Sequence, residues 1–275
     1  MICRVCGNDN PAANRFCQSC GSALYGGDSP SRLGQADSPS RLGQADSPSR
    51  LGFGQPEVRG GIRGRLVLVR PDGSDGGAHP LFDGVNLLGR GSGPLFDADS
   101  YLSPVHVRIE VGGRDGLFVV RDAGSLNGVF LKLSEEEALT EGGVFRCGQQ
   151  LLRLDSIRPP RPMPDGTEVM GSPNPGYWGR LTLLIGRASD GRVIEGSSFP
   201  LSGDTLVLGR ERGDIVFSED GYCSGTHARL TYRGGRAFLQ DLASSNGTYL
   251  RLPGERMVAA GTYLLLGQQL FRIQA

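Results

Sequence analysis

An internal repeat is the feature that most constrains what this chain can fold into. The motif GRLVLV from Gly64 matches GRLTLL from Gly179, and CGQQLLR from Cys147 matches LGQQLFR from Leu266. Matching motifs in the same order indicate two structurally equivalent segments. We place the first copy at 61–157 and the second copy at 177–275.

Both copies have the residue pattern of an all-β protein. Short runs of Val, Leu, Ile, Phe and Tyr alternate with clusters of Gly, Asp, Ser and Asn. Short strands with turn signals between them are typical of a β-sandwich, so we predict one sandwich in each copy. Only SEEEALTEGG (134–143) predicts a helical turn.

The N-terminal segment 1–26 carries two C-x-x-C pairs, formed by Cys3, Cys6, Cys17 and Cys20. Four thiolates at this spacing can enclose a tetrahedral Zn²⁺, and so short a segment needs such a staple to fold. The segment resembles the small zinc ribbons at the N-termini of many bacterial multidomain proteins. We expect a closed structural site, since no further ligand lies nearby.

Two linkers separate these parts. Residues 27–60 repeat the motif DSPSRLGQA, whose low apolar content predicts disorder. Residues 158–176 are rich in proline and predict an extended connector. Thr167, the only threonine in either linker, is followed by Glu168. If it were phosphorylated, the second copy would be able to bind its own linker.

Three polar landmarks occur in the same order in both copies. In the second copy they are Gly209-Arg210, Ser224-x-x-His227 and Ser245-Asn246-Gly247. In the first copy they are Gly89-Arg90, Ser103-x-x-His106 and Leu126-Asn127-Gly128. Independent turn chemistry would not reproduce this order twice, so the landmarks indicate a shared binding function.

The landmarks fit a phosphate site. A phosphate dianion needs a fork-shaped cation and short hydroxyl donors that converge from neighbouring loops. Arg210 can supply the charge, and Ser224 and Ser245 can supply the hydroxyls. The ordered triple resembles the forkhead-associated (FHA) domain family, whose members are β-sandwiches that bind phosphothreonine peptides. The resemblance covers about 62–156 and 177–275.

The resemblance implies a role for each of these residues. Arg210 and Ser224 would hold the phosphate, Ser245 would add to it, and Asn246 would hold the peptide backbone. Glycines and histidines would be scaffold: Gly209, His227 and Gly247 in the second copy, and Gly89, His106 and Gly128 in the first. Taken singly, each site residue also fits an ordinary surface or turn position.

The first copy departs from the pattern. Leu126 replaces the hydroxyl before the Asn, Val129 replaces the Thr after the Gly, and Pro104 removes a backbone N–H. Each hydrogen bond lost to a charged group costs about 1.5 to 3 kcal/mol, or roughly ten- to a hundred-fold in affinity. We expect a weakened binder that uses Arg90, Ser103 and Asn127, with a scaffold-only role as the alternative.

Two cysteines lie outside the zinc segment. Cys147 stands in a late apolar strand where the second copy has Leu266, which predicts a core position. Cys223 precedes Ser224 in the predicted binding loop. We expect an inert thiol there, with modulation of binding as the alternative.

Composition narrows the function. Basic and acidic residues balance at 29 each, which argues against broad nucleic-acid or membrane attraction. No run reaches the ~18 apolar residues of a membrane span, and no signal peptide is apparent, so we predict a cytoplasmic protein.

We find no nucleophile paired with a general base in the sequence, so we do not predict an enzyme. The sequence predicts a noncatalytic adaptor for threonine-phosphorylated proteins in Ser/Thr kinase signalling, the alternative being a zinc-ribbon nucleic-acid regulator.

Overall fold

The computed structural model describes residues 61–112 and 116–275. The chain divides into two compact units, Met1–Arg59 and Gly60–Ala275, and all described residues belong to the second. The predicted zinc ribbon and the repeat linker therefore lie outside the described residues. The described residues form β-strands and no helix, which confirms the predicted all-β fold class.

Nineteen strands follow one another along the chain. The first copy contains β1 Ile62–Val69, β2 Asp75–Phe82, β3 Gly84–Leu88, β4 Val107–Val111, β5 Phe118–Asp122, β6 Val129–Lys132, β7 Glu137–Leu139, β8 Val144–Cys147 and β9 Gln150–Ser156. The second copy contains β10 Gly179–Arg187, β11 Val193–Leu201, β12 Thr205–Gly209, β13 Ile215–Val216, β14 Ala228–Arg233, β15 Arg236–Asp241, β16 Thr248–Arg251, β17 Glu255–Val258, β18 Tyr263–Leu266 and β19 Gln269–Gln274.

The strands form one ten-stranded sheet and two smaller sheets. The large sheet has the order β11-β10-β9-β8-β16-β6-β18-β19-β1-β2. The order β13-β12-β14-β15-β7 forms a five-stranded sheet, and β17-β5-β4-β3 forms a four-stranded sheet. Because alternate residues of a strand point to opposite faces, strands such as β4 bury every second side chain.

Two of the three buried apolar clusters are the cores of two sandwiches. Phe96, Phe118 and Phe271 belong to one core, which lies in the first sandwich, built from β1–β6 and β17–β19. Phe145 and Leu181 belong to the other core, which lies in the second sandwich, built from β7–β16. Each sandwich thus contains strands from both copies.

The prediction that each copy closes its own sandwich is therefore wrong. Strands β7–β9 of the first copy complete the second sandwich, where β9 pairs with β10 and β7 pairs with β15. Strands β17–β19 of the second copy complete the first sandwich, where β19 pairs with β1 and β17 pairs with β5. The two copies exchange their three C-terminal strands within one chain.

The chain crosses between the sandwiches at β6 and β16. These strands pair antiparallel with each other, with Leu131 opposite Leu250. The residue after each strand is buried in the core that the chain has just entered: Leu133 in the second sandwich and Leu252 in the first. The β6–β16 ladder thereby joins the two halves of the large sheet.

The repeat itself explains why this exchange is possible. Equivalent strands of the two copies have similar sequences, so each can take the other's place in the hydrogen-bonded ladders. Exchange also adds the β6–β16 pair and ion pairs between the copies, such as Arg233 with Glu136 and Arg256 with Glu137. The order of apolar and polar residues within one copy is the same whether the strands are exchanged or not.

The predicted helical turn at 134–143 is also absent. This stretch contains β7, whose Leu139 pairs with Ala237 of β15 and is buried in the second core. Burial of that side chain and the ladder with β15 outweigh the local helix preference of the glutamates.

Candidate functional site

Arg210 follows the last residue of β12 and is tied to the neighbouring serine loop. Its backbone N–H donates to the Ser224 carbonyl oxygen at 2.8 Å. Gly209 permits this close approach, because a Cβ there would collide with the backbone carbonyl oxygen of Gly225 in the serine loop. The end of β12 and the serine loop are therefore held together by the backbone.

His227 is fully buried beneath the serine loop. Its Nδ1 accepts the backbone N–H of Ser224 at 3.0 Å, and its Nε2 lies 3.2 Å from the Gly247 carbonyl oxygen. Since Nδ1 is an acceptor, the proton resides on Nε2 and is donated to Gly247. The imidazole therefore links the Ser224 loop to the Asn246-Gly247 loop without facing solvent.

The loop 242–247 is held against the serine loop by hydrogen bonds. The Ser245 N–H donates to Ser224 Oγ at 3.0 Å, and the Asn246 Nδ2 donates to the Tyr222 carbonyl oxygen at 2.9 Å. Gly247 adopts a φ of 84°, a conformation that favours glycine, whereas Asn246 has no positive φ. Ser245 and Asn246 are both exposed. Because Nδ2 of Asn246 is engaged by the protein, its Oδ1 is the atom left to accept a ligand N–H.

These contacts bring the sequence-predicted residues of the second site together. Arg210, Ser224 and Ser245 lie on three loops that are connected directly by hydrogen bonds. A guanidinium and two hydroxyls so placed are suited to bind a tetrahedral dianion.

The first site repeats this scaffold. Ser103 N donates to His106 Nδ1 at 3.1 Å, and Asn127 Nδ2 donates to the Tyr101 carbonyl oxygen at 2.8 Å. The side chain of Leu126 is 62% exposed where the second site presents Ser245. Burial lowers the pKa of His106, so this histidine is neutral at pH 7. The first site therefore keeps its loop geometry but lacks one hydroxyl donor.

The structure changes the interpretation of Thr248. Its hydroxyl is buried and donates to Asp241 Oδ1 at 2.7 Å, so it belongs to the scaffold. Replacing it by Val129 in the first copy therefore removes no ligand donor. Asp241 and its counterpart Asp122 were missed as site residues, although the repeated motifs DLASSNG and DAGSLNG contain both.

The carboxylate of the next residue, Glu211, forms an ion pair with the Arg210 guanidinium. Arg210 Nη2 lies 2.7 Å from Glu211 Oε1, and this hydrogen bond lowers the pKa of Glu211. Both side chains are more than one-third exposed. An anionic ligand competes with this carboxylate for the charge of the guanidinium. Glycine, Gly91, follows Arg90 at the same position of the first site, where the nearby carboxylate of Asp97 accepts the Gly91 backbone N–H at 3.1 Å.

We expect Glu211→Gln to strengthen anion binding at the second site by about two- to five-fold, because an exposed ion pair contributes up to ~1 kcal/mol. Titration of the variant and the wild type with a phosphothreonine peptide measures this. Glu219→Gln, which removes an equal charge from an exposed position, is the control. An unchanged affinity for Glu211→Gln would contradict the expectation.

Two thiols lie beneath the second site. Cys147 Sγ of β8 and Cys223 Sγ are 3.8 Å apart, and both residues are buried. The hydrogen bond with Cys147, and after it the proximity of His227, lower the pKa of Cys223. Leu266 and Leu102 occupy the equivalent positions of the first sandwich. The cysteine pair is thus a contact between the two copies.

The thiols and His227 are the one group of possible metal ligands found among the described residues. The Cys and His ligand atoms lie within 4.8 Å of one another. Both nitrogens of His227, however, are already hydrogen-bonded within the protein. The arrangement favours a structural histidine over a metal ligand.

Comparison with known proteins places a family motif on the second site. The family model of the FHA domain matches residues 206–267. FhaB, an FHA domain-containing protein of Mycobacterium tuberculosis, is 39% identical over 58 residues, which cover 21% of this chain and 37% of FhaB. FhaB of Mycolicibacterium smegmatis is 37% identical over 58 residues. The chain spans little more than a third of the length of these relatives.

Two solved structures are also similar. The FHA domain of the CT664 protein from Chlamydia trachomatis is 28% identical, with 29% of this chain and 86% of that chain covered and a TM-score of 0.18. Mycobacterium tuberculosis EmbR, in complex with a low affinity phosphopeptide, is 22% identical, with 41% of this chain and 26% of that chain covered and a TM-score of 0.20.

In the part of the chain that the structure describes, no helix has the length and apolar character to cross a membrane.

Proposed function

We propose that this chain, whose residues 206–267 match the family model of the FHA domain, is a noncatalytic adaptor that binds threonine-phosphorylated proteins at its second site. The observation that carries the proposal is the hydrogen-bonded connection between the Arg210, Ser224 and Ser245 loops, which brings one arginine and two serines together.

Each residue of the second site has a separate role in the proposal. Arg210 supplies the charge, while the hydroxyls of Ser224 and Ser245 donate to the phosphate oxygens. Asn246 accepts a backbone N–H of the peptide through Oδ1. Gly209, His227 and Gly247 do not contact the ligand but hold the three loops in register.

The first site binds the same class of ligand more weakly in this proposal. Arg90, Ser103 and Asn127 take the places of Arg210, Ser224 and Asn246, while Leu126 supplies no hydroxyl. A partner phosphorylated twice would gain avidity, because the second binding event is intramolecular.

The proposal extends to partners, location and metal. The partners are products of a Ser/Thr kinase, and the protein acts in the cytoplasm. Cys3, Cys6, Cys17 and Cys20 hold one structural Zn²⁺, which elemental analysis of the purified chain would detect as one ion per chain.

The 158–176 linker carries a possible internal ligand. Thr167 is exposed in a turn in which its carbonyl oxygen accepts the Met163 N–H at 2.8 Å. We propose that phosphorylated Thr167 competes with partners for the second site. Equal affinity of the Thr167-phosphorylated chain and of a Thr167→Ala variant for a phosphothreonine peptide would exclude this competition.

A library of phosphothreonine peptides, with the same peptides dephosphorylated as the control, tests the proposed function. Selective capture of the phosphorylated members by the full chain is the expected result. Equal capture of both sets, or capture of neither, would contradict it.

A further inference from the structure

We propose that each peptide site has an additional anion-binding position supplied by a cation of the other copy. Lys132 of the first copy serves the second site, and Arg251 of the second copy serves the first site. The inference rests on the proposed function, because it extends the same binding sites.

Strand exchange brings Lys132 to the second site. Lys132 is the last residue of β6, and the β6–β16 ladder places it opposite Tyr249. Two residues before Tyr249 stands Gly247, and a Cβ on this glycine would lie 3.2 Å from Lys132 Nζ. The ammonium group therefore lies against the Asn246-Gly247 turn.

The side of the turn on which Lys132 lies determines what it can bind. Ser224 reaches the turn from the Ser245 side, through the hydrogen bond from the Ser245 N–H. Lys132 lies against the turn at Gly247, two residues further along the chain than Ser245. A peptide whose phosphate lies at Ser224 and Ser245 would therefore present a flanking residue to Lys132.

The Lys132 cation is available for such a residue. Among the described residues, no carboxylate lies within ion-pair distance of its Nζ, and its one recorded partner is the Tyr263 ring, 5.5 Å from Nζ. The residue is half-buried, so its aliphatic stem is held while its charge is not neutralised. Lys132 is also the only lysine in the sequence.

The first site has the reciprocal arrangement. Arg251 lies opposite Phe130 of β6, and a Cβ on Gly128 would stand 2.9 Å from Arg251 Cζ. Burial lowers the pKa of His106 beneath this turn, and the positive charge of Arg251 lowers it further. The same placement at both sites follows from the antiparallel pairing of β6 with β16.

The ligand group that fits this position is an anionic side chain next to the phosphothreonine. A carboxylate and a second phosphate both qualify, since each carries negative charge and accepts hydrogen bonds from an ammonium. Peptides with Asp and peptides with phosphoserine at the same flanking position distinguish these two sources.

The test uses the full chain with Arg90→Ala, which silences the first site. A single Asp is moved through the positions flanking phosphothreonine in otherwise neutral peptides. We expect Asp at one of these positions to raise the affinity of the peptide for the chain. Lys132→Met, which keeps an unbranched apolar side chain, should lower the affinity for that Asp-containing peptide about three- to ten-fold. The neutral peptide should bind the Lys132→Met variant and the chain that retains Lys132 with equal affinity. Lys132→Arg should retain the preference for Asp.

Arg251→Met is the matched control, because it removes the equivalent cation from the other site. It should leave the second site's preference for Asp unchanged. An equal loss with Arg251→Met, an equal loss with the neutral peptide, or no effect of Lys132→Met would overturn the inference. If no phosphothreonine peptide binds even the wild-type chain, the proposed function itself fails, which separates the two results.

Discussion

Arg210→Ala is expected to abolish measurable phosphothreonine-peptide binding at the second site. The backbone N–H of Arg210 is bonded to the Ser224 carbonyl oxygen, so the Arg210 side chain starts beside the serine loop, and loss of its guanidinium removes charge-assisted hydrogen bonds to the phosphate. Losing such bonds costs about 3 kcal/mol, or roughly a hundred-fold in affinity. Isothermal titration of the full chain with a phosphothreonine peptide measures the loss.

Arg90→Ala is the paired comparison. Because the first site lacks the hydroxyl of Ser245, we expect this change to remove less of the total binding. Arg192→Ala removes the same charge from the exposed β10–β11 turn and should bind like wild type. Full retention of binding by both Arg210→Ala and Arg90→Ala would contradict the proposed mechanism.

Cutting the chain once in the 158–176 linker is expected to leave the two halves associated. Strands β7–β9 carry Phe145, Leu152 and Leu154 into the second core. Fully burying each such side chain contributes about 1.5 to 3 kcal/mol, so separation of the halves would expose both cores. Size-exclusion chromatography of the chain, cut at an inserted protease site, should show one intact-sized species that splits only in denaturant.

Oxidation provides a second measurement of the same exchange. The C-terminal half contains one cysteine, Cys223, so a covalent link between the halves has to use it. Diamide should take one hydrogen from each thiol and join Cys147 to Cys223, because their sulfur atoms are 3.8 Å apart. A non-reducing gel detects the linked species.

Cys147→Leu, which copies Leu266 of the first sandwich, should prevent the covalent link without separating the halves. In copies that closed on themselves, Cys147 would lie with Leu102 instead, because that is the pairing its position has in the repeat. Halves that elute separately after cutting, or that form no disulfide between Cys147 and Cys223, would contradict strand exchange.

The local geometry of the candidate site could be predicted from the sequence, because the residues of each motif are close together in the chain. Ser224-x-x-His227 and Asn246-Gly247 encode a buried histidine and a turn with positive φ, and both occur twice. The ion pair between Glu211 and Arg210 could not be predicted in this way. Whether an adjacent acid pairs with Arg210 depends on side-chain rotamers that no motif specifies.

The path of the chain was the main feature that motif reasoning did not predict. Alternation of apolar and polar residues indicates which residues of β7 and β17 are buried, but both strands find nearly equivalent partners in either sandwich. Residues 134–143 illustrate the same limit, because Leu139 forms a strand only where β15 is available to pair with it.

The sequence alone determined the all-β class, the duplication and the polar landmarks, because alternation, turn residues and motif spacing are local properties of the chain. Only the tertiary structure decided which copy completes which sandwich, and therefore that Lys132 and Cys147 lie beside the second site. The physical reason is that repeated strands offer equivalent hydrogen bonds and apolar faces to either partner. The choice between them depends on long-range pairing, here the ladder between β6 and β16.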